Sequence, residues 1–158
     1  MKKILFVCSG NTCRSPLAEG IAKKLLGNVA GMELEILSAG TSTVDGWPAS
    51  EYSVDVARDH GIDITDHQSQ FLNATLVREA DLIVTMGSNH RETVLVINPD
   101  AAAYTMELTD FSTELHGDIQ DPIGGPLSVY SATYTAIEKC ISEMAKQLPG
   151  FDGWQKND

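Results

Sequence analysis

At 158 residues, 42% apolar and 21% charged, the chain has the size and balance of one soluble globular domain with a single core. Its formal net charge of -11 argues against nucleic acid or an anionic membrane as a partner, since either needs a basic face, but leaves room for an anion held in one small electropositive pocket. Three cysteines, Cys8, Cys13 and Cys140, cannot form a disulfide framework and read as free thiols, and no His or Cys spacing suits zinc, so neither a metal nor another cofactor is expected.

Lys3 to Val7 is a short, mostly apolar run that ends at Cys8 and a Gly-containing loop, the pattern of a buried parallel strand. The run is too short for the ~7–15 apolar residues of a signal core, and no other stretch approaches the ~18 of a membrane span. A cytoplasmic protein is the expectation. Ser15 reads as a helix N-cap and Pro16 as the first helical residue, with Glu19 in the first turn and Leu17, Ile21, Leu25 and Leu26 marking a helix to about Gly27. Glu33 to Ser38 alternates like an edge strand, and Ala39 to Pro48 is a polar loop. Ala49 to His60 is helix-like and stops at Gly61. Ser69 to Asn73 reads as a short helix, Asp81 to Met86 as a second buried strand, and Gly87 to Ile97 as a helix ended by Asn98-Pro99. Tyr104 to Leu108 is a fourth strand candidate, and Phe111 to Pro126 a long loop. Leu127 to Leu148 is the last helix, with Tyr130, Tyr134, Ile137, Ile141, Met144 and Leu148 along one side. Strands alternating with helices predict one α/β domain over 1–158 with a mostly parallel sheet. Ligands of such sheets bind beyond the carboxyl ends of the strands, where the Cys8 loop and the segment after Met86 both open.

The segment Cys8-Ser9-Gly10-Asn11-Thr12-Cys13-Arg14-Ser15-Pro16 sets a thiol and a guanidinium six residues apart on a strand-to-helix turn. Such a loop curls so that successive backbone N–H groups point inward as an anion nest, reinforced by the N-terminal end of the following helix. Gly10 permits a positive φ and Asn11 tolerates one. The same dipoles and Arg14 are expected to lower the pKa of Cys8 and leave it largely thiolate. Arg14 grips two phosphate oxygens with its planar fork, and the Ser15 hydroxyl is placed to donate to the Cys8 sulfur. Nucleotide-binding loops are the rival reading, but neither G-x-x-x-x-G-K nor G-x-G-x-x-G is present. The pattern therefore points to a phosphate cradle spanning Ser9, Gly10, Asn11, Thr12, Cys13, Arg14 and Ser15, with Cys8 as nucleophile. Cys13 is a candidate redox partner that traps an oxidised Cys8 as a disulfide.

These residues resemble the low-molecular-weight protein tyrosine phosphatase family, whose hallmark C-x-G-N-x-C-R-S-P is matched from Cys8 to Pro16. The likeness continues through Ser38-Ala39-Gly40-Thr41, Gly61-Ile62-Asp63 with His67, Ala80-Asp81-Leu82 and Gly117-Asp118-Ile119-Gln120-Asp121-Pro122-Ile123-Gly124-Gly125. It implies a four-stranded parallel sheet of order 2-1-3-4 with helices on both faces, and a protein phosphatase acting through a cysteinyl-phosphate. It also implies a general acid at Asp121, which as an ordinary Asp-Pro turn would carry no such meaning, with Asp118 as a minor contributor or loop cap. His67 is implied as the partner of Asn11, while His60, His90 and His116 read as solvated surface groups.

Within the family, tyrosine-directed members typically carry a bulky aliphatic where this chain has Thr12, and the protein-arginine-phosphatase branch carries Thr. The stretch Gly117 to Gly125 also resembles that branch more closely. Ile123 departs from both branches, in which an aromatic is usual, leaving Trp47 or Tyr130 as alternative walls for a substrate side chain. The resemblance thus implies hydrolysis of phosphotyrosine or phosphoarginine on a protein, with inorganic phosphate as product and a slight lean to phosphoarginine. Arsenate reduction on the same scaffold is the enzymatic alternative, but it needs two further cysteines after the middle strand, and 81–98 has none. An inactive phosphate-binding module would need the nest and Arg14 without the thiol or acid.

Overall fold

The computed structural model describes residues 1–27, 29 and 31–156. The reading of the domain as running to residue 158 includes Asn157 and Asp158, which lie outside the described residues. Four strands, β1 (Lys2–Cys8), β2 (Leu34–Gly40), β3 (Leu82–Thr85) and β4 (Thr105–Glu107), form one sheet of order β2-β1-β3-β4 in which every pair is parallel. β2 is the predicted edge, and Cys8 pairs with Gly40 at its end.

The alternation along β1 explains why both faces are covered. Ile4, Phe6 and Cys8 enter one apolar cluster, and Leu5 and Val7 enter the other. The first cluster is closed by α1 (Arg14–Leu26), α2 (Glu51–Asp59) and α5 (Leu127–Gln147), through residues such as Leu17, Ile21, Val56, Tyr134, Ile137 and Met144. The second is closed by α3 (Ala74–Glu79) and α4 (Ser88–Ile97), through Val77 and Val94, and by Ala101 and Tyr104 of a 3-10 turn. All six residues of the predicted stripe on the last helix are buried, and Cys140 joins them as packing, with burial pushing its thiol up to about 11.

Several local expectations need correction. Helix α1 begins at Arg14, not Pro16, and its N-cap is Cys13, whose side chain makes no capping bond to the helix; Ser15 lies inside the first turn with its hydroxyl against Cys8. Its buried stripe runs through Leu17, Ala18, Ile21, Ala22 and Leu26, and Leu25 faces outward. Glu19 therefore falls beyond the first turn, where it accepts from Ser38 Oγ at 2.9 Å. The segment Ser69 to Asn73 is not helical. Backbone bonds with Gly46, Trp47 and Gly40 keep it extended, and the short helix starts only where Asn73 accepts from Leu76 N.

Candidate active site

β1, β3 and the loop before α5 converge at the carboxyl end of the sheet. Ile119 N donates to Met86 O just beyond β3, bringing the acidic loop against the Cys8 loop. Around that loop the backbone carbonyls face outward. Cys8 O accepts from Thr41 N, Ser9 O from Ser42 N and Thr12 O from Ser50 N, at 2.8–2.9 Å, and Asn11 O meets His67 Nε2 at 2.7 Å. No peptide among the described residues is cis, so each outward carbonyl turns the next N–H the opposite way. The amides of Ser9, Gly10, Thr12 and Cys13 accordingly face the concave side, and Asn11 N–H points at Cys8 Sγ, 3.2 Å away. The approach is tight. A Cβ at Gly40 would sit 2.5 Å from Ser9 O, so only glycine lets β2 lie against the loop.

Asn11, fully buried, is the loop's keystone and the sole non-glycine described residue with positive φ, at 54°. Gly10, which permits a positive φ, does not adopt one. Asn11 Nδ2 donates to Ser15 Oγ (2.7 Å) and Ser38 Oγ (3.0 Å), and Oδ1 accepts from Gln70 N (2.9 Å). His67 does reach Asn11, but through the backbone carbonyl, so the side-chain partners are Ser15, Ser38 and Gln70. With a Ser15 lone pair occupied by Asn11, its hydroxyl proton is free for Cys8 Sγ at 2.9 Å.

Cys8 is 2% exposed, and this changes the expected electrostatics. Burial pushes the Cys8 thiol above its ordinary value, opposed by the Ser15 hydroxyl and N–H, Arg14 and Asn11 N–H. The expectation of a lowered pKa counted the dipoles and the guanidinium but not the loss of water around the sulfur.

Arg14 is buried, donating from Nη1 to Ile119 O (3.0 Å) and from Nη2 to Ser9 Oγ (3.4 Å), with Asp121 Oδ2 3.4 Å from Nη2. The nucleophile candidate, the guanidinium and the acid candidate thus come together. Asp121 Oδ1 also accepts from Ile123 N at 3.1 Å, the turn geometry an Asp-Pro pair favours. Asp118 is the loop cap: Oδ1 accepts from Ser88 N (2.9 Å) at the start of α4. Thr12 is half-buried on the rim and Ile123 is largely exposed. Tyr130 is buried, its hydroxyl 3.7 Å from Cys13 Sγ, and supports the loop instead of lining it; Trp47 is exposed. Cys13 Sγ also donates to Ser50 Oγ at 3.3 Å.

His90 corrects the expectation of a solvated surface group. It is 1% exposed, with Nε2 2.9 Å from Ser9 Oγ. Its place in the first turn after β3, at the strand end where the Cys8 loop opens, was the available clue. His60 is exposed but stacks on Tyr134 with ring centroids 3.9 Å apart, and His116 is exposed as expected. Ser38 and Ile119 lie in stretches that carry the family likeness, but nothing there marks them as supports of the loop, and Gln70 lies in no such stretch. Among the described residues no three His, Cys, Asp or Glu side chains group as a metal site.

The comparisons with known proteins meet this geometry. Residues 3–150 match the family model for low molecular weight phosphotyrosine protein phosphatase. A protein-arginine-phosphatase of Geobacillus stearothermophilus is 36% identical over 92% of this chain and 95% of its own length. The low molecular weight protein-tyrosine-phosphatase Etp of Escherichia coli K12 is 33% identical over 92% and 93%. A solved structure of the YwlE arginine phosphatase, a cysteine-to-serine mutant with a phosphorylated active-site serine, superposes with a TM-score of 0.87 at 30% identity, covering 95% of this chain and 97% of the other. An unbroken family match around a thiol, a guanidinium and an amide-lined loop leaves one assignment: the chain belongs to the low molecular weight phosphotyrosine protein phosphatase family and is a cysteine-dependent protein phosphatase.

Proposed function

We propose that the protein hydrolyses phosphorylated side chains of proteins in two steps, with Cys8 as nucleophile and Asp121 as general acid and base. Cys8 Sγ attacks phosphorus as the thiolate, the form that Ser15, Arg14 and the Asn11 N–H favour against burial, while the bond to the leaving atom breaks, and Asp121 gives that atom a proton. Asp121 then takes a proton from water, whose oxygen attacks phosphorus, the S–P bond breaks, and inorganic phosphate leaves. The observation that carries this reading is the Cys8 sulfur at the base of a ring of inward amides, with the Ser15 hydroxyl at 2.9 Å and Arg14 beside it. The phosphorylated serine of the YwlE mutant supports covalent transfer to this position. Cys13, held by Ser50 and Tyr130, is the proposed redox partner.

Phosphoarginine is placed ahead of phosphotyrosine as substrate. Thr12 puts a hydroxyl on the rim where an aliphatic side chain would favour an aromatic ring, and the Geobacillus relative, named for phosphoarginine, supports the same order. A net charge of -11 disfavours nucleic acid and anionic membranes as partners, and no described helix is long and apolar enough to cross a membrane. Three free thiols suit the reducing cytoplasm. The test is burst kinetics with p-nitrophenyl phosphate. Wild type should release a burst of nitrophenol and trap phosphate on Cys8, while Cys8→Ser should lose roughly 10⁴-fold or more in turnover. Cys8→Ser turning over at the wild-type rate would discard the mechanism. Parallel turnover of phosphoarginine and phosphotyrosine peptides, with Thr12→Ile shifting preference toward phosphotyrosine, tests the substrate.

A further inference from the structure

A guanidinium grips phosphate with two N–H edges only when its plane is fixed, and one anchor leaves that plane free to turn. Arg14 Nη1 has a firm anchor in Ile119 O at 3.0 Å. Nη2 has two neighbours at 3.4 Å, Asp121 Oδ2 and Ser9 Oγ. The Asp121 side chain is 42% exposed and, as the acid, must turn to the leaving atom during the reaction. Ser9 is then the remaining hold on Nη2. Its side chain is only half-buried, and an unrestrained hydroxyl samples three rotamers.

His90 supplies the restraint. It stands on α4, outside the phosphate loop, almost fully buried, with Nε2 2.9 Å from the same Ser9 oxygen. A neutral imidazole there bonds Ser9 in either tautomer, leaving a Ser9 lone pair for Arg14. The ring stays neutral because burial and the Arg14 charge lower its pKa to about 4, against the pull of Asp118, Asp121 and the Gly87 backbone. A second cation beside Arg14 is thereby avoided.

We infer that His90 is a positioning residue: it fixes the Ser9 hydroxyl, which fixes the Nη2 edge of Arg14 toward the phosphoryl group. The inference rests on the phosphatase mechanism above. A buried histidine that merely packs would affect stability alike for any replacement of similar size, and this supplies the discrimination.

The test measures competitive inhibition by inorganic phosphate, with kcat and KM for p-nitrophenyl phosphate, in wild type, Ser9→Ala, His90→Ala, the double variant, His90→Gln and His90→Asn. Ser9→Ala and His90→Ala should each weaken phosphate inhibition by roughly five- to thirtyfold, and the double variant should be no worse than either single. Gln, whose terminal amide reaches the place of Nε2, should recover most of the loss, and the shorter Asn should not. Multiplying losses in the double variant, or Gln no better than Asn, overturns the inference. If His90→Ala fails to fold, the Gln and Asn pair decides. A wild type that neither turns over nor binds phosphate sinks the mechanism and the inference together. An active wild type with indifferent His90 variants sinks the inference alone.

Discussion

Cys8, Asn11, Arg14 and Ser15 are all at least nine-tenths buried, and each is bound to two or more neighbours, whereas Asp121 on the facing loop keeps 42% of its side chain exposed. Gly117 and Gly124 give that facing loop two positive-φ turns, and Asp118 ties it to the start of α4. The contrast fits the roles proposed for the two regions. An anion cradle works by having its dipoles aimed before the ligand arrives, and that requires a rigid, dry setting. A group that gives and takes protons in successive steps needs water at hand and room to turn.

The sharpest way to break this comparison is to remove the acid. Asp121→Asn should lower kcat by about 10²–10⁴-fold on phenyl phosphate, and by less on p-nitrophenyl phosphate, whose leaving group needs little help from a proton. The melting temperature should hold within a few degrees, because an exposed side chain is lost. Equal losses on both substrates would place the role of Asp121 in binding, through its contact with Arg14, and not in proton transfer. Asn11→Ala is the mirror experiment in the cradle. It strands buried partners at Ser15, Ser38 and Gln70 and puts alanine at φ 54°. The expected cost is about 2–4 kcal/mol of stability, or roughly 5–15 °C in melting temperature, along with weaker phosphate binding.

The same contrast governs how much was legible in the sequence. β1, β3 and the last helix carry dense apolar patterns, so their existence and faces were readable from Ile4 to Val7, Leu82 to Thr85 and Tyr130 to Leu148. Cys8, Arg14 and Ser15 lie within one short motif, so their meeting was readable from local spacing alone. What brings Asp121 to Arg14 is tertiary: Ile119 pairing with Met86, more than thirty residues away, which no local pattern records. Ser69 to Asn73 has a helix-like composition, but its extended form comes from bonding to Gly40, Gly46 and Trp47. The polarity of His90 predicts exposure, while its partner Ser9 lies eighty-one residues earlier.

A smaller effect sharpens the electrostatic side of the cradle. Ser15→Ala removes the hydroxyl that opposes burial at the Cys8 sulfur. A thiol losing a donor to its ionised form titrates higher, so the pH midpoint for alkylation of Cys8 by iodoacetamide should move upward. Turnover at neutral pH should fall by about 10- to 100-fold. A midpoint that moves downward, or does not move, would show that Ser15 supports the loop's shape and not the charge on sulfur.

The smallest effect belongs to the open loop. Ile123 is 67% exposed beside Asp121 and Pro122, and on the proposed reading a ring in its place would border the substrate. Ile123→Tyr should lower KM for aryl phosphates by the worth of one ring contact, about 0.5–1.5 kcal/mol, which is roughly two- to tenfold. kcat should change little, since the ring would touch ground state and transition state alike. Stability should also change little, because no packed neighbour is disturbed. Phosphoarginine peptides should gain by a similar factor if the guanidinium stacks on the new ring, so KM measured on both peptides reads out the stacking geometry directly. A gain confined to kcat would instead mean that the substitution had moved Asp121, whose Oδ1 is held by the Ile123 N–H at 3.1 Å.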